Sequence, residues 1–123
     1  MHNSILWADT GGEIYNDPGH TSSTITIAYS LAQGCKPAGV WNTAVCGADG
    51  GTNVTDSDPM FKDPDNENFR LTGGSPAINR GNNAFVNGVT TDLAGNPRIS
   101  GGVVDLGPYE FPLYSLFLPV IMK

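Results

Sequence analysis

The stretch STITIAYSL, Ser23 to Leu31, is the longest β-type run in the sequence and carries the clearest indication of its fold. Because strand side chains alternate between two faces, the run divides into two sets. Thr24, Thr26, Ala28 and Ser30 fall on one face, and Ile25, Ile27, Tyr29 and Leu31 fall on the other. This pattern predicts one continuous strand with a buried face.

The remaining β-type runs are only three or four residues long and are bounded by Gly, Asn, Asp or Pro. They are SILW at 4–7, EIY at 13–15, FRL at 69–71, PAI at 76–78, AFV at 84–86 and VVDL at 103–106. A sandwich commonly uses strands of about five or six residues, whereas a solenoid completes short strands by stacking its coils. The pattern favours an all-β fold of the parallel β-helix type, with a sandwich as the alternative.

The charge balance is acidic, with 12 Asp and Glu residues against 6 Lys and Arg, a formal net charge of −6. The basic residues form no cluster, so the positive surface that nucleic acid requires is missing. We therefore expect no nucleic-acid partner. A surplus of carboxylates suits either an ordinary solvated surface or a divalent cation.

The two cysteines, Cys35 and Cys46, have ten residues between them, including a Pro-Ala-Gly turn. Metal binding would need His or Cys partners at short spacing, and neither His2 nor His20 is so placed. A disulfide is therefore predicted. It would stabilise the fold by about 3 kcal/mol in the chain-entropy model and implies an oxidising compartment.

Two segments carry a resemblance to a known family: DPMFKDPDNENFRLTGGSPAINRGNN at 58–83 and TDLAGNPRISGGVVDLGPYE at 91–110. They resemble the C-terminal region of secreted bacterial right-handed parallel β-helix proteins of the choice-of-anchor Q type. Asn79 departs from that pattern, which often has Asp there, and Pro108 stands in place of a usual Ala. The resemblance implies a right-handed β-helix fragment with an irregular, loop-rich C-terminal end.

The resemblance also implies three regions. Residues 1–56 would form rungs with the Cys35/Cys46 loop, residues 57–111 the family's C-terminal region, and residues 112–123 an apolar tail. That tail is too short for a bilayer span, which needs about twenty residues. It is interpreted either as a cap strand or as a sorting signal that anchors the protein to the cell envelope.

No signal peptide is visible at the N-terminus, because MHNSILWADTGG has neither a basic region nor a sustained apolar run. The resemblance nevertheless places the protein outside the cell or on its surface, as the end of a longer exported chain.

Pectate-lyase-like enzymes share the expected fold, so Arg70, Arg80 and Arg98 are the candidates for enzymatic chemistry. Arginine stays protonated at ordinary pH and is a poor general base, whereas its planar group can tie carboxylates and carbonyls together. A glycoside hydrolase would need a pair of flanking carboxylates, and no Asp-Asp pair is present. We therefore assign no catalytic residue, and a polysaccharide lyase or glycoside hydrolase fragment is the alternative.

An acidic run, DSDPMFKDPDNEN at 56–68, is the candidate metal site. Its ligands would be Asp56, Asp58, Asp63, Asp65 and Glu67, oxygen donors of the kind that Ca²⁺ prefers. An EF-hand is excluded because Asn68 stands where the loop needs glycine. Acidic turn caps are the competing interpretation. No other cofactor is expected.

The functional expectation is a non-enzymatic part of an exported bacterial surface protein, serving attachment or contact with surface or extracellular polysaccharide. Trp7 and Trp41 are candidates for stacking on sugars, although Trp7 lies in an apolar run and is interpreted as a core residue.

Overall fold

The computed structural model describes residues 1–10, 12–14, 19, 25–50 and 53–112. Within them, strands are two to four residues long: β1 Ile5–Leu6, β2 Thr26–Ile27, β3 Ser30–Ala32, β4 Ala48–Asp49, β5 Val54–Thr55, β6 Phe61–Asp63 and β7 Asn68–Leu71. One helical turn, α1, spans Thr43–Cys46, and 3₁₀ turns span Pro37–Gly39, Pro64–Asn66 and Asn83–Val86.

The strands form three separate small sheets. In the first, β3 lies between β1 and β5 and is parallel to both. In the second, β2 pairs in parallel with β4. The third is the antiparallel hairpin of β6 and β7, whose turn is the 3₁₀ segment Pro64–Asn66. The first sheet therefore has β1 at one edge and β5 at the other.

The predicted continuous strand at 23–31 is wrong. Tyr29 has a φ of 47°, in the left-handed region, so the chain bends between β2 and β3. The bend breaks the alternation, and Ala28 and Ser30, predicted to lie on the face opposite Ile27 and Leu31, are buried as those two residues are. Ser23 and Thr24 fall outside the described residues.

The predicted right-handed parallel β-helix is also wrong. The hairpin of β6 and β7 is antiparallel, and PAI at 76–78 and VVDL at 103–106 lie in turns and irregular chain, while AFV at 84–86 lies in a 3₁₀ turn. The described residues therefore form small, separate sheets and no solenoid sheet. FRL at 69–71, within β7, and SILW, around β1, do contain the strands that were expected.

The core consists of two apolar clusters. The first surrounds the disulfide and contains Ile27, Ala32, Cys35, Cys46 and Val54. The second joins the middle strand to the C-terminal region and contains Leu31, Leu71, Ala77 and Leu106. β3 contributes to both, so the two clusters share one central strand.

The N-terminus is tied to the C-terminal region by Asn3, which is buried. Its side chain donates to the Asn82 carbonyl (3.0 Å) and accepts from the Asn82 N–H (2.8 Å). Gly107 N–H donates to the Asn3 carbonyl (2.9 Å). Gly107 has a φ of +85°, and a Cβ there would meet Ile5 Cδ1 at 2.9 Å, so glycine is required.

Several predictions fall outside the described residues. These include nearly all of the apolar tail, residues 113–123, as well as Tyr15 and His20. No helix in the described part of the chain is long and apolar enough to cross a membrane.

Candidate functional site

A buried ionic cluster organises the C-terminal region. It consists of Asp92, Arg98, Asp105 and Glu110, each at most 8% exposed. Arg98 forms an ion pair with Glu110 at 2.8 Å and also donates to the Gly107 carbonyl at 2.9 Å. The guanidinium thereby links a buried carboxylate to a buried turn.

The carboxylates of this cluster accept hydrogen bonds mainly from backbone N–H groups. Asp105 accepts from Asn79 (2.7 Å) and Phe111 (2.6 Å), and the Asp105 N–H itself donates to Glu110 (2.8 Å). Asp92 accepts from the N–H groups of Ala94, Asn96 and Glu110, each at 2.9 Å. These carboxylates accept hydrogen bonds from backbone N–H groups that belong to no strand. Buried backbone groups need such hydrogen-bond partners.

Burial raises the pKa of Glu110 to about 7, with the negative charge of Asp105 adding to the rise, while Arg98 lowers it only in part. Burial also raises the pKa of Asp105, against the opposing effect of its two backbone donors. Perturbed carboxyls sometimes mark catalytic sites. These two are fully engaged by Arg98 and the backbone, so their role is structural.

The other two arginines lie on the surface. The Arg70 guanidinium lies 4.9 Å from the centre of the Tyr109 ring, a cation–π contact. Arg80 is exposed and lines a groove described below.

The candidate calcium ligands are spread along a turn and the β6–β7 hairpin. Asp56 accepts from the N–H groups of Gly34 (3.1 Å) and Lys36 (3.0 Å), Asp58 accepts from Met60 N–H (2.8 Å), and Asp63 accepts from the Asn66 amide (2.9 Å). Asp65 and Glu67 lie in the hairpin turn, where both are exposed. Among the described residues, no three His, Cys, Asp or Glu side chains converge as a metal site, and calcium binding stays a prediction.

The structure contains the disulfide between Cys35 and Cys46, with Cα atoms 5.5 Å apart. Both residues are fully buried, and the bond encloses the 3₁₀ turn Pro37–Gly39 and α1. A disulfide in so small a protein is compatible with an extracellular location.

An aromatic groove opens beside β1 and the β6–β7 hairpin. It encloses about 260 Å³, and a second hollow of about 270 Å³ shares Trp7, Phe61 and Phe69 with it. We define the aromatic groove by Trp7, Asp9, Asp58, Met60, Phe61 and Phe69. Phe61 and Phe69 meet edge to face, with ring centres 5.3 Å apart, and Phe69 is 41% exposed.

The two tryptophans differ in a way that bears on ligand contact. Trp41 donates its indole N–H to the Gly47 carbonyl (2.9 Å) and packs against the disulfide cluster. Trp7 is half-buried, lines the aromatic groove, and has no hydrogen-bond acceptor for its indole among the residues that the structure describes. The interpretation of Trp7 as a core residue is thus only half right, because one side packs on the core and the other lines the groove.

A cationic groove of about 320 Å³ lies on the other side of the first sheet. Its lining combines two cations with polar and small apolar residues: Lys36, Asn53, Val54, Thr55, Pro76 and Arg80. Val54 and Thr55 form β5, whereas Trp7 directly follows β1. Since β1 and β5 flank β3, the two grooves lie at opposite edges of this sheet.

Sequence reasoning identified Arg98 as structural but missed the ionic cluster and both grooves. The cluster had a weak signal, since Asp105 interrupts the apolar run VVDL. No pattern in the sequence indicated the grooves, because Trp7, Phe61 and Phe69 come together only through tertiary packing.

The chain matches no protein-family model, and searches of curated proteins and of solved structures find no match either. The resemblance to choice-of-anchor Q proteins therefore stays a prediction, and function has to be argued from the geometry of the site.

Proposed function

We propose that this chain is a non-enzymatic binding module of an exported protein and that it contacts carbohydrate through the aromatic groove. The proposal rests on one observation: Trp7, Phe61 and Phe69 line the same surface groove. Aromatic faces pack against the C–H faces of sugar rings, and exposed aromatic groups with a polar rim are typical of binding surfaces.

The polar rim supports a sugar over a purely apolar ligand. Asp58 and Asp9 line the two hollows of the groove, and carboxylates accept hydrogen bonds from sugar hydroxyls. Asp58 is already held by the Met60 N–H through one oxygen, so its orientation is fixed before a ligand arrives. The disulfide supports an exported protein, because such bonds persist in oxidising compartments.

The test is binding of neutral hexasaccharides of glucose, xylose and galactose, followed by calorimetry and by the NMR signals of the Trp7 indole. Phe69→Ala should weaken binding at least fivefold, about 1 kcal/mol, because a stacking face is lost. Phe85→Ala is the matched control, since Phe85 is 49% exposed and lies outside the groove.

Equal affinities for the two variants, or no binding of any of the three sugars, would contradict the proposal. An assay for new reducing ends and unsaturated products runs beside the titration. Turnover there would favour a hydrolase or lyase in place of a binding module.

A further inference from the structure

We infer that the cationic groove is a second binding site, which takes the carboxylate of an acidic sugar, a uronate. The inference rests on the proposed function only in taking carbohydrate as the ligand. Its evidence is separate, because it concerns a different groove at the opposite edge of the first sheet.

The first observation is that two positively charged residues line the same groove. Lys36 and Arg80 line one hollow in a chain whose formal net charge is −6 and which has six Lys and Arg residues in all. Neither side chain forms an ion pair or side-chain hydrogen bond with another described residue; the one ion pair within those residues belongs to Arg98 and Glu110. Two cations that face one hollow without a protein carboxylate favour an anionic ligand.

The second observation is that the backbone under Arg80 is anchored on both sides. Asn79 N–H donates to the buried Asp105 (2.7 Å), and Gly81 N–H donates to the Val104 carbonyl (2.9 Å). A Cβ at Gly81 would lie 2.6 Å from Val104 Cγ1, so the chain is packed tightly there. The exposed Arg80 side chain therefore extends from a rigid corner.

Lys36 is anchored in the same manner. It follows the disulfide-bonded Cys35 and precedes Pro37, and its N–H donates to Asp56 (3.0 Å). A site whose charged groups stand on fixed backbone loses less entropy when it binds. The backbone positions from which the two cations extend are thus fixed before the ligand arrives.

The size and lining of the hollow indicate the class of ligand. Its volume of about 320 Å³ lies at the lower end of small-molecule sites, which span roughly 300 to 1,000 Å³. Arg80 offers the planar fork that fits a carboxylate, and Lys36 adds a point charge. Asn53 and Thr55 contribute side chains that hydrogen-bond to hydroxyls, which a sugar supplies and a simple inorganic anion lacks.

The experiment compares a galacturonate hexasaccharide with a neutral galactose hexasaccharide by calorimetry, in low salt with a chelator present. The wild type should bind the uronate at least tenfold more tightly. Arg80→Gln and Lys36→Gln should each remove most of that difference, and added salt should reduce it because the contact is ionic.

Lys62→Gln is the matched control, because Lys62 is an exposed lysine on β6 outside the groove. It should leave uronate affinity unchanged. Equal loss in Lys62→Gln and Lys36→Gln would overturn the inference, since it would indicate general electrostatics. So would inorganic sulfate that competes as well as free galacturonate does.

The two proposals fail separately. Neutral sugars that bind through Phe69, without any extra affinity for the uronate, would refute the cationic site alone. Uronate binding that depends on Arg80, without any effect of Phe69→Ala, would refute the aromatic groove alone.

Discussion

Two regions of this molecule hold short segments of chain in place by different means. The disulfide region, residues 25–50 and 53–56, uses parallel strand pairs, a covalent bond and an apolar cluster. The ionic region, residues 73–112, has no strand in the structure and uses buried carboxylates as acceptors for backbone N–H groups. A chain whose strands are two to four residues long thus reaches a fixed fold by pairing its backbone with side chains.

Because the two regions are held in place by different interactions, they should respond to different stresses. Reduction removes a constraint from the disulfide region only. A change in the ionisation of a buried carboxyl, or the loss of one charged partner, affects the ionic region, because its charged side chains accept the hydrogen bonds of its backbone N–H groups.

The largest effect is expected from Arg98→Met. Removing one partner of a buried ion pair costs about 3 to 5 kcal/mol, because Glu110 would have to stay charged without its partner or take up a proton at pH 8, and the Gly107 carbonyl would lose its donor. Urea unfolding at pH 8 measures the loss. Arg80→Met is the control, since Arg80 is exposed, and it should change the free energy of unfolding by less than about 0.5 kcal/mol. If the two variants are equally stable, the ionic cluster does not stabilise its region.

A smaller loss, about 3 kcal/mol, is expected when Cys35 and Cys46 are both replaced by alanine, because the unfolded chain gains the entropy of an open loop. Combining this pair with Arg98→Met tests whether the regions are independent. Independent regions give losses that add within about 0.5 kcal/mol. A combined loss well below the sum would show that the two regions are energetically coupled.

The smallest effect is expected for a change of a single pH unit. The pKa of Glu110 rises from 4.5 to about 7 on folding, so the folded state binds a proton more tightly than the unfolded state does. The stabilisation is complete below pH 4.5 and is lost as pH rises through 7, with a slope of at most about 1.4 kcal/mol per pH unit.

Glu110→Gln should flatten this slope, and Glu67→Gln, at an exposed hairpin position, should leave it intact. The free energy of unfolding, measured by urea titration from pH 4.5 to pH 8, decides the matter. A stability that rises over this range in the wild type would contradict the assignment.

The sequence predicts the local features of the disulfide region well. It fails to predict that the run at 23–31 contains two short strands and not one continuous strand. The pairing of Cys35 with Cys46 followed from spacing, and the run at 23–31 does contain strand residues. Nothing in the sequence predicts the bend at Tyr29, since tyrosine rarely adopts a positive φ and is a typical strand residue.

In the ionic region the local pattern was misleading. VVDL has the pattern of a strand, but its Asp105 is fully buried and accepts hydrogen bonds from the backbone N–H groups of Asn79 and Phe111. Apolar neighbours would bury such a segment whether it formed a strand or irregular chain, so periodicity does not distinguish these two structures. The acidic run at 56–68 allowed both a metal site and acidic turn caps, and in the structure Asp56 and Asp58 accept hydrogen bonds from backbone N–H groups of separate turns.

The hydrogen bonds between Asn3 and Asn82 span 79 residues, and this separation bears on how the chain folds as it is made. Contacts so distant in sequence slow folding, because the intervening chain must first be brought together. At about 5 to 20 residues per second, a ribosome needs on the order of 4 to 16 seconds to extend the chain from Asn3 to Asn82. For that interval Ile5 lacks its packing against the cluster that contains Leu106. The segment around Ile5 is thus apolar chain that stays partly uncovered until the region containing Leu106 has been made.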